Sequence, residues 1–163
     1  MKIGIISDTH DHVPNIKRAV EKFLSEGVEE VIHAGDYCSP FTIPHFSKLK
    51  LTGVFGNNDG DHYRLMQKFS EIMGDLRGEF ADLSYNGRRI AVYHGTQQGI
   101  TDALVKCGTY DVVVTGHTHE PHITIKKNTI WINPGSAHGF DDFGTVAIYD
   151  SEANQAEILY LGN

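Results

Sequence analysis

The chain has 163 residues, of which 40% are hydrophobic and 21% charged. That is enough for one domain with its own core and without disulfide or metal staples, and it excludes a disordered polymer. The formal net charge of −7 argues against a broad duplex-DNA footprint, because non-specific DNA affinity comes from lysine and arginine facing phosphates.

Residues 2–7, Lys-Ile-Gly-Ile-Ile-Ser, predict a buried strand. Its apolar part is too short for a signal peptide, and no later apolar run approaches a membrane span, so a soluble, cytoplasmic protein is expected. Pro14 suits a first helical turn. Ile16, Ala19, Val20, Phe23 and Leu24 then recur at helical spacing up to a stop at Gly27. Residues 30–33 predict a second strand, and the resulting β-α-β unit favours a parallel sheet. A short helix or loop is expected over 40–50, a third strand over 51–55 and a helix over 61–74. Strands 80–85 and 88–94 flank Asn86-Gly87, a strong hairpin signal. A helix over 97–107, a strand over 112–115, a second hairpin around Lys127-Asn128 and closing strands near 143–150 and 155–161 complete the chain. No linker or repeat interrupts it. The expectation is a single α/β domain over 1–163, with two sheets packed face to face and helices outside. Cys38 and Cys107 are far apart, form no C-x-x-C and read as semi-buried thiols.

The chain carries ten histidines, and their placement matters more than their number. Strand one is followed by Asp8-Thr9-His10, strand two by Gly35-Asp36 and strand three by Gly56-Asn57-Asn58-Asp59. The strand at 88–93 is followed by His94-Gly95, and that at 112–115 by Gly116-His117-Thr118-His119. Five strand candidates thus end in a potential metal ligand, and in open α/β sheets ligands bind beyond the carboxyl ends of the strands. Asp8 and His10 are two apart, which on an extended segment points both side chains to one side; the same holds for His117 and His119. Asp8, His10, Asp36, Asn57, His94, His117 and His119 are together enough for two divalent ions once water is added. Two ions roughly 3.5–4 Å apart can clamp a phosphoryl group. Each motif alone is weak, a lone D-x-H being more often a loop; their order and joint spacing carry the specificity.

Those motifs, with the closing Asn133-Pro134-Gly135-Ser136, resemble the calcineurin-like metallophosphoesterase superfamily, and in particular its small bacterial and archaeal phosphodiesterases. The resemblance runs from residue 3 to about residue 136. It implies a four-layered α/β/β/α sandwich with a dinuclear site at one edge of the sheets. One metal would be held by Asp8, His10 and His119, the other by Asn57, His94 and His117, with Asp36 bridging. It also implies in-line attack by a metal-bridging hydroxide without a covalent phosphoenzyme. The resemblance favours Mn(II) or Ni(II), and the nitrogen and oxygen donors also suit Co(II), Fe and Zn(II).

The pattern departs from the family at Asn58, where many members have a histidine that assists the leaving group. Asparagine can hydrogen-bond a phosphate but supplies no proton at neutral pH, so general-acid catalysis, worth about 10²–10⁴-fold, is in doubt. Good leaving groups would then be favoured, or His12, His62 or a metal-bound water would supply the proton. Asn58, Asp59 and His12 are the catalytic candidates beside the metal ligands. The competing functions are a phosphomonoesterase or nucleotidase with the same site, and a non-catalytic interaction scaffold, as a eukaryotic retromer subunit of similar fold is. A DNA repair nuclease would need extra length and a basic patch. Arg64, Arg88 and Arg89 read as solvated surface. A small phosphate ester is the expected partner, with no membrane, and the hairpins at 80–93 and 121–132 offer a face for a homodimer.

Overall fold

The computed structural model describes residues 1–140 and 143–162. Two sheets form the centre. The first has six strands in the order β11-β10-β1-β2-β3-β4 and the second five in the order β5-β6-β7-β9-β8. In the first sheet, β1 (Lys2–Ile6), β2 (Glu30–His33), β3 (Lys50–Gly53) and the two-residue β4 (Asp75–Leu76) run parallel, with β10 (Thr145–Asp150) and β11 (Gln155–Tyr160) antiparallel on the other side of β1. In the second, β6 (Arg88–Tyr93), β7 (Val112–Val114) and β9 (Thr129–Asn133) are parallel, flanked by antiparallel β5 (Phe80–Tyr85) and β8 (His122–Lys126).

The period-two alternation of β1 places its two faces in different layers. Ile3 and Ile5 pack with Ile32, Val54, Val92, Val114 and Ile132 in the core between the sheets. Ile6 faces the other way, with Ile16, Val20, Phe23, Leu65 and Phe69 of helices α1 (Val13–Ser25) and α2 (His62–Glu71). A side chain at Gly4 would meet the ring of Phe23 at 2.9 Å, so α1 lies close on the sheet there. Helix α3 (Gln98–Lys106) covers the outer face of the second sheet, its Val105 packed with Ala91 and Val113. The layers are therefore helix, sheet, sheet, helix, the expected sandwich.

Asn86 and Gly87, with φ of 49° and 76°, take the left-handed pair that a tight two-residue hairpin requires. The segment 40–50 holds a 3-10 helix, Pro40–Phe46. The third strand ends at Gly53 rather than at 55, and β4 was not foreseen, since two residues leave no periodicity to read. Cys38 is half-buried, but Cys107 is exposed, because it sits at the C-cap of α3 rather than under it.

Candidate metal centre

The carboxyl ends of β1, β2, β3, β6 and β7 and the loops after them are joined by direct hydrogen bonds. Asp8 N–H donates to Gly35 O at 3.0 Å and His10 N–H to Asp36 O at 3.1 Å. Between the sheets, His117 N–H donates to Asp8 Oδ2 at 3.0 Å and His94 Nδ1–H to Ala34 O at 2.7 Å. The chain does not reach this site on extended segments, as the two-residue spacing suggested. Asp8, His10, Asp36, His117 and His119 all have positive φ, as do Asp11 and Cys38, between 38° and 69°. Left-handed backbone costs about 1–2 kcal/mol at each such residue, and here it turns each loop sharply off its strand so that the donors face one another.

Gly56 makes the crossing of two of these loops possible. A Cβ there would collide with Asp36 Oδ1 and lie 2.5 Å from Asp36 N. At Gly35, where φ is 100°, a Cβ would sit 2.6 Å from Gly56 N. Asp59 ties the crossing: its Oδ2 accepts from Asp36 N–H at 3.0 Å and Gly56 N–H at 2.7 Å, and its Oδ1 from Cys38 N–H at 2.8 Å. Asp59 is buried, and burial pushes its carboxyl up against the pull of those three amides. The Asn-Pro-Gly-Ser turn braces the loops from the other side. Asn133 Nδ2 donates to Gly116 O at 2.8 Å and Ser136 Oγ to Asp8 O at 2.9 Å.

Two groups of donors converge, Asp8 with His10 and His119, and Asp8 with Asp36 and His94; within each, the candidate atoms lie within 4.8 Å of one another. Asp8 Oδ1 is 3.3 Å from His119 Nε2, 3.8 Å from His10 Nε2 and 4.0 Å from His94 Nε2. Asp36 Oδ2 is 3.5 Å from His10 Nε2 and 3.4 Å from His94 Nε2. Asp8 Oδ1, His10 Nε2 and His94 Nε2 are shielded from water and have no hydrogen-bond partner. Such atoms are costly unless something pairs them. Because His94 donates Nδ1–H to Ala34 O, the neutral ring presents a bare Nε2 lone pair to two carboxylates, an arrangement that calls for a cation between them.

The electrostatics agree. Burial pushes Asp8 up, but His10 and His119 outweigh it and hold its carboxyl well below the usual carboxylate range. Asp36 is lowered in the same way, burial being overcome by His94. Asp8 raises His10 against its burial; burial lowers His94, but Asp36 and Asp8 together outweigh it and raise the ring. A divalent ion there would compete with protons for the same ring nitrogens.

Other expected residues stand nearby in different relations. His117 packs edge-on to His94, with ring centroids 5.2 Å apart. Asn57 is exposed, its Oδ1 accepting from Thr96 Oγ1 at 3.4 Å. Asn58 turns to Asp36, its Nδ2 donating to Oδ2 at 2.7 Å and its N–H to Oδ1 at 2.8 Å. His12 caps α1, Nδ1 accepting from Asn15 N–H at 3.3 Å, and His62 stacks on Phe55 with ring centroids 3.8 Å apart. Arg64, Arg88 and Arg89 pair with Asp61, Asp111 and Asp82.

Three neighbours escaped the sequence reading. Cys38 Sγ lies 3.3 Å from His10 Nδ1. Phe140 stacks on His119, with centroids 4.8 Å apart. His33 is fully buried, Nδ1 accepting from Gly35 N–H at 3.1 Å. Only the Gly35-Asp36 motif close after His33 hinted at any of these roles.

A family model of the calcineurin-like phosphoesterase superfamily domain matches residues 1–154. A phosphodiesterase of Methanocaldococcus jannaschii is 38% identical over 165 residues, covering 99% of both chains. The structure of an archaeal phosphodiesterase superposes with a TM-score of 0.93 at 37% identity, covering 98% of this chain and 99% of the other. A zinc complex of Vps29 from Entamoeba histolytica shares the fold, with a TM-score of 0.72 at 16% identity over 99% of this chain and all of that one.

Proposed function

Because this chain belongs to the calcineurin-like phosphoesterase superfamily, we propose that it is a divalent-metal-dependent phosphodiesterase acting on small phosphate esters. The observation that carries this reading is the set of water-shielded, unpartnered atoms, Asp8 Oδ1, His10 Nε2 and His94 Nε2, aimed into one space. Asp8, His10 and His119 would hold one ion and Asn57, His94 and His117 the other, with Asp36 shared. The position of Asp36 Oδ2 beside both His10 and His94 supports the sharing, and Asp8, a member of both donor groups, would be a ligand open to either ion. Divalent ions there supply Lewis acidity toward a phosphoryl oxygen and bring the pKa of water near neutrality. The nitrogen and oxygen donors fit Mn(II) or Ni(II), with Co(II), Fe and Zn(II) as alternatives.

Asn58 holds both oxygens of Asp36 and thereby orients the shared carboxylate, so it is a positioning residue rather than a proton donor. Asp59 positions the same loop through its backbone. His12, engaged at the helix cap, is no better placed to give up a proton, and esters with good leaving groups are the favoured substrates. Two free thiols among the described residues fit a reducing, cytoplasmic setting. Among the described residues no helix is long and apolar enough to cross a membrane.

The test is to strip the protein with chelator and add back Mn, Ni, Co, Zn or Mg singly, assaying bis(p-nitrophenyl) phosphate and p-nitrophenyl phosphate. Diester hydrolysis that returns with Mn or Ni and fails in Asp36→Asn is the expected result. Preference for the monoester would move the substrate class to phosphomonoesters. Folded protein inactive with every metal would leave the fold serving as an interaction scaffold.

A further inference from the structure

A cavity of about 500 Å³ opens directly beside the metal donors, walled by His119, Pro121, Phe140, Phe143, Thr145 and Tyr160. That is within the size range of small-molecule sites. His119 belongs both to this wall and to a donor group, so the cavity and the metal centre are continuous. Three aromatic side chains are exposed around it, Phe140 at 52%, Phe143 at 51% and Tyr160 at 67%. Clustered exposed apolar rings at a concave surface mark a binding site more often than scattered ones do. Among the described residues, no lysine, arginine, aspartate or glutamate lines the cavity.

Phe140 is held firmly. Its φ is 44°, its N–H donates to His138 Nδ1 at 2.9 Å, and its ring stacks on His138 as well as on His119. A bulky residue in left-handed backbone persists only where its surroundings over-determine it.

We propose that this cavity is the subsite for an uncharged aromatic arm of a phosphodiester whose phosphate lies at the metal donors. The proposal rests on the phosphodiesterase reading and narrows its substrate class. A second phosphate arm would need cationic or N–H-rich walls to replace its hydration, and among the described residues none of the lining side chains is a lysine or arginine. Aromatic walls reward an aromatic guest through offset or edge-on contacts beyond simple burial. The ring could belong to an aryl alcohol or to a nucleobase.

The experiment measures calorimetric binding of three slowly reacting diesters to the metal-loaded full chain: diethyl phosphate, diphenyl phosphate and the ethyl ester of thymidine 5′-phosphate. Each carries one negative charge. At least one aromatic ester is expected to bind about 3- to 10-fold more tightly than diethyl phosphate, and which one identifies the source of the ring. Phe143→Ala and Tyr160→Ala should each shrink that ratio. Equal affinity for all three overturns the proposal, as does a ratio that survives both substitutions. Turnover of bis(p-nitrophenyl) phosphate on the same preparation separates the two readings. A preference erased by the variants in a protein without turnover keeps the subsite and sinks the hydrolase, whereas turnover without preference does the reverse.

Discussion

Replacing Asp59 by asparagine separates a positioning role from a chemical one. The wild-type carboxylate accepts three backbone N–H groups, two on Oδ2 and one on Oδ1. Asparagine can keep its carbonyl oxygen toward Asp36 and Gly56, but it then aims an amide NH₂ at Cys38 N–H. One hydrogen bond to a charged acceptor is lost, worth about 1.5–3 kcal/mol, and one buried donor is left facing another donor. Removing a buried charge offsets part of this. The net expectation is about 2–3 kcal/mol of destabilisation, because the lost bond and the stranded Cys38 donor together exceed the offset. For a chain of this size each kcal/mol moves Tm by about 2–4 °C, so a fall of about 4–12 °C should appear in calorimetry of the chelator-treated protein. Affinity for added Mn should fall with it, since the loop that loosens carries Asp36. A metal-free Tm within about 1 °C of wild type, with kcat alone reduced, would refute the positioning role and return Asp59 to the chemistry.

The Gly56→Ala substitution should cost at least about 1–3 kcal/mol in urea denaturation, because its Cβ meets Asp36 backbone as well as side chain. Gly60→Ala, with nothing within 4 Å of its Cβ, should stay within about 0.5 kcal/mol of wild type; equal effects would show that the loop crossing is not tight. Burial lowers His33 from 6.5 to about 3, so the unfolded chain takes a proton where the folded one does not. Its contribution is therefore whole above pH 6.5 and is lost as the pH falls toward 3. Over the roughly 1.5 units from pH 6.5 to 5 this amounts to about 2 kcal/mol. His33→Gln should flatten that limb relative to wild type, and parallel pH profiles would refute the assignment. Cys107, exposed and lowered by the Thr109 N–H, should react with a thiol reagent at pH 7.5 well before Cys38, which burial pushes up to about 12; peptide mapping that finds Cys38 modified first would contradict this.

The chain order of residues was enough to determine the layers. Alternation in β1, helical spacing in α1 and the Asn86-Gly87 turn are local properties, written within a few residues, and the structure shows each where its pattern put it. The recurrence of Asp, Asn and His after successive strands was legible for the same reason, because strand ends are read from the strands themselves. The roles of Asp59, Asn58 and His12 were not. Each depends on which backbone amide or carboxylate lies opposite, and that follows from β1, β2 and β3 being neighbours in one sheet and β6 and β7 in the other. The same is true of Cys38 beside His10 and of Phe140 against His119, contacts across 28 and 21 positions of chain. Even the D-x-H and H-x-H spacing acts through left-handed turns rather than extended backbone. Those turns lie where loops cross, at Gly35 and Gly56 and at Gly116 against Ser7 and Asp8, and only the packed sheets decide where loops cross.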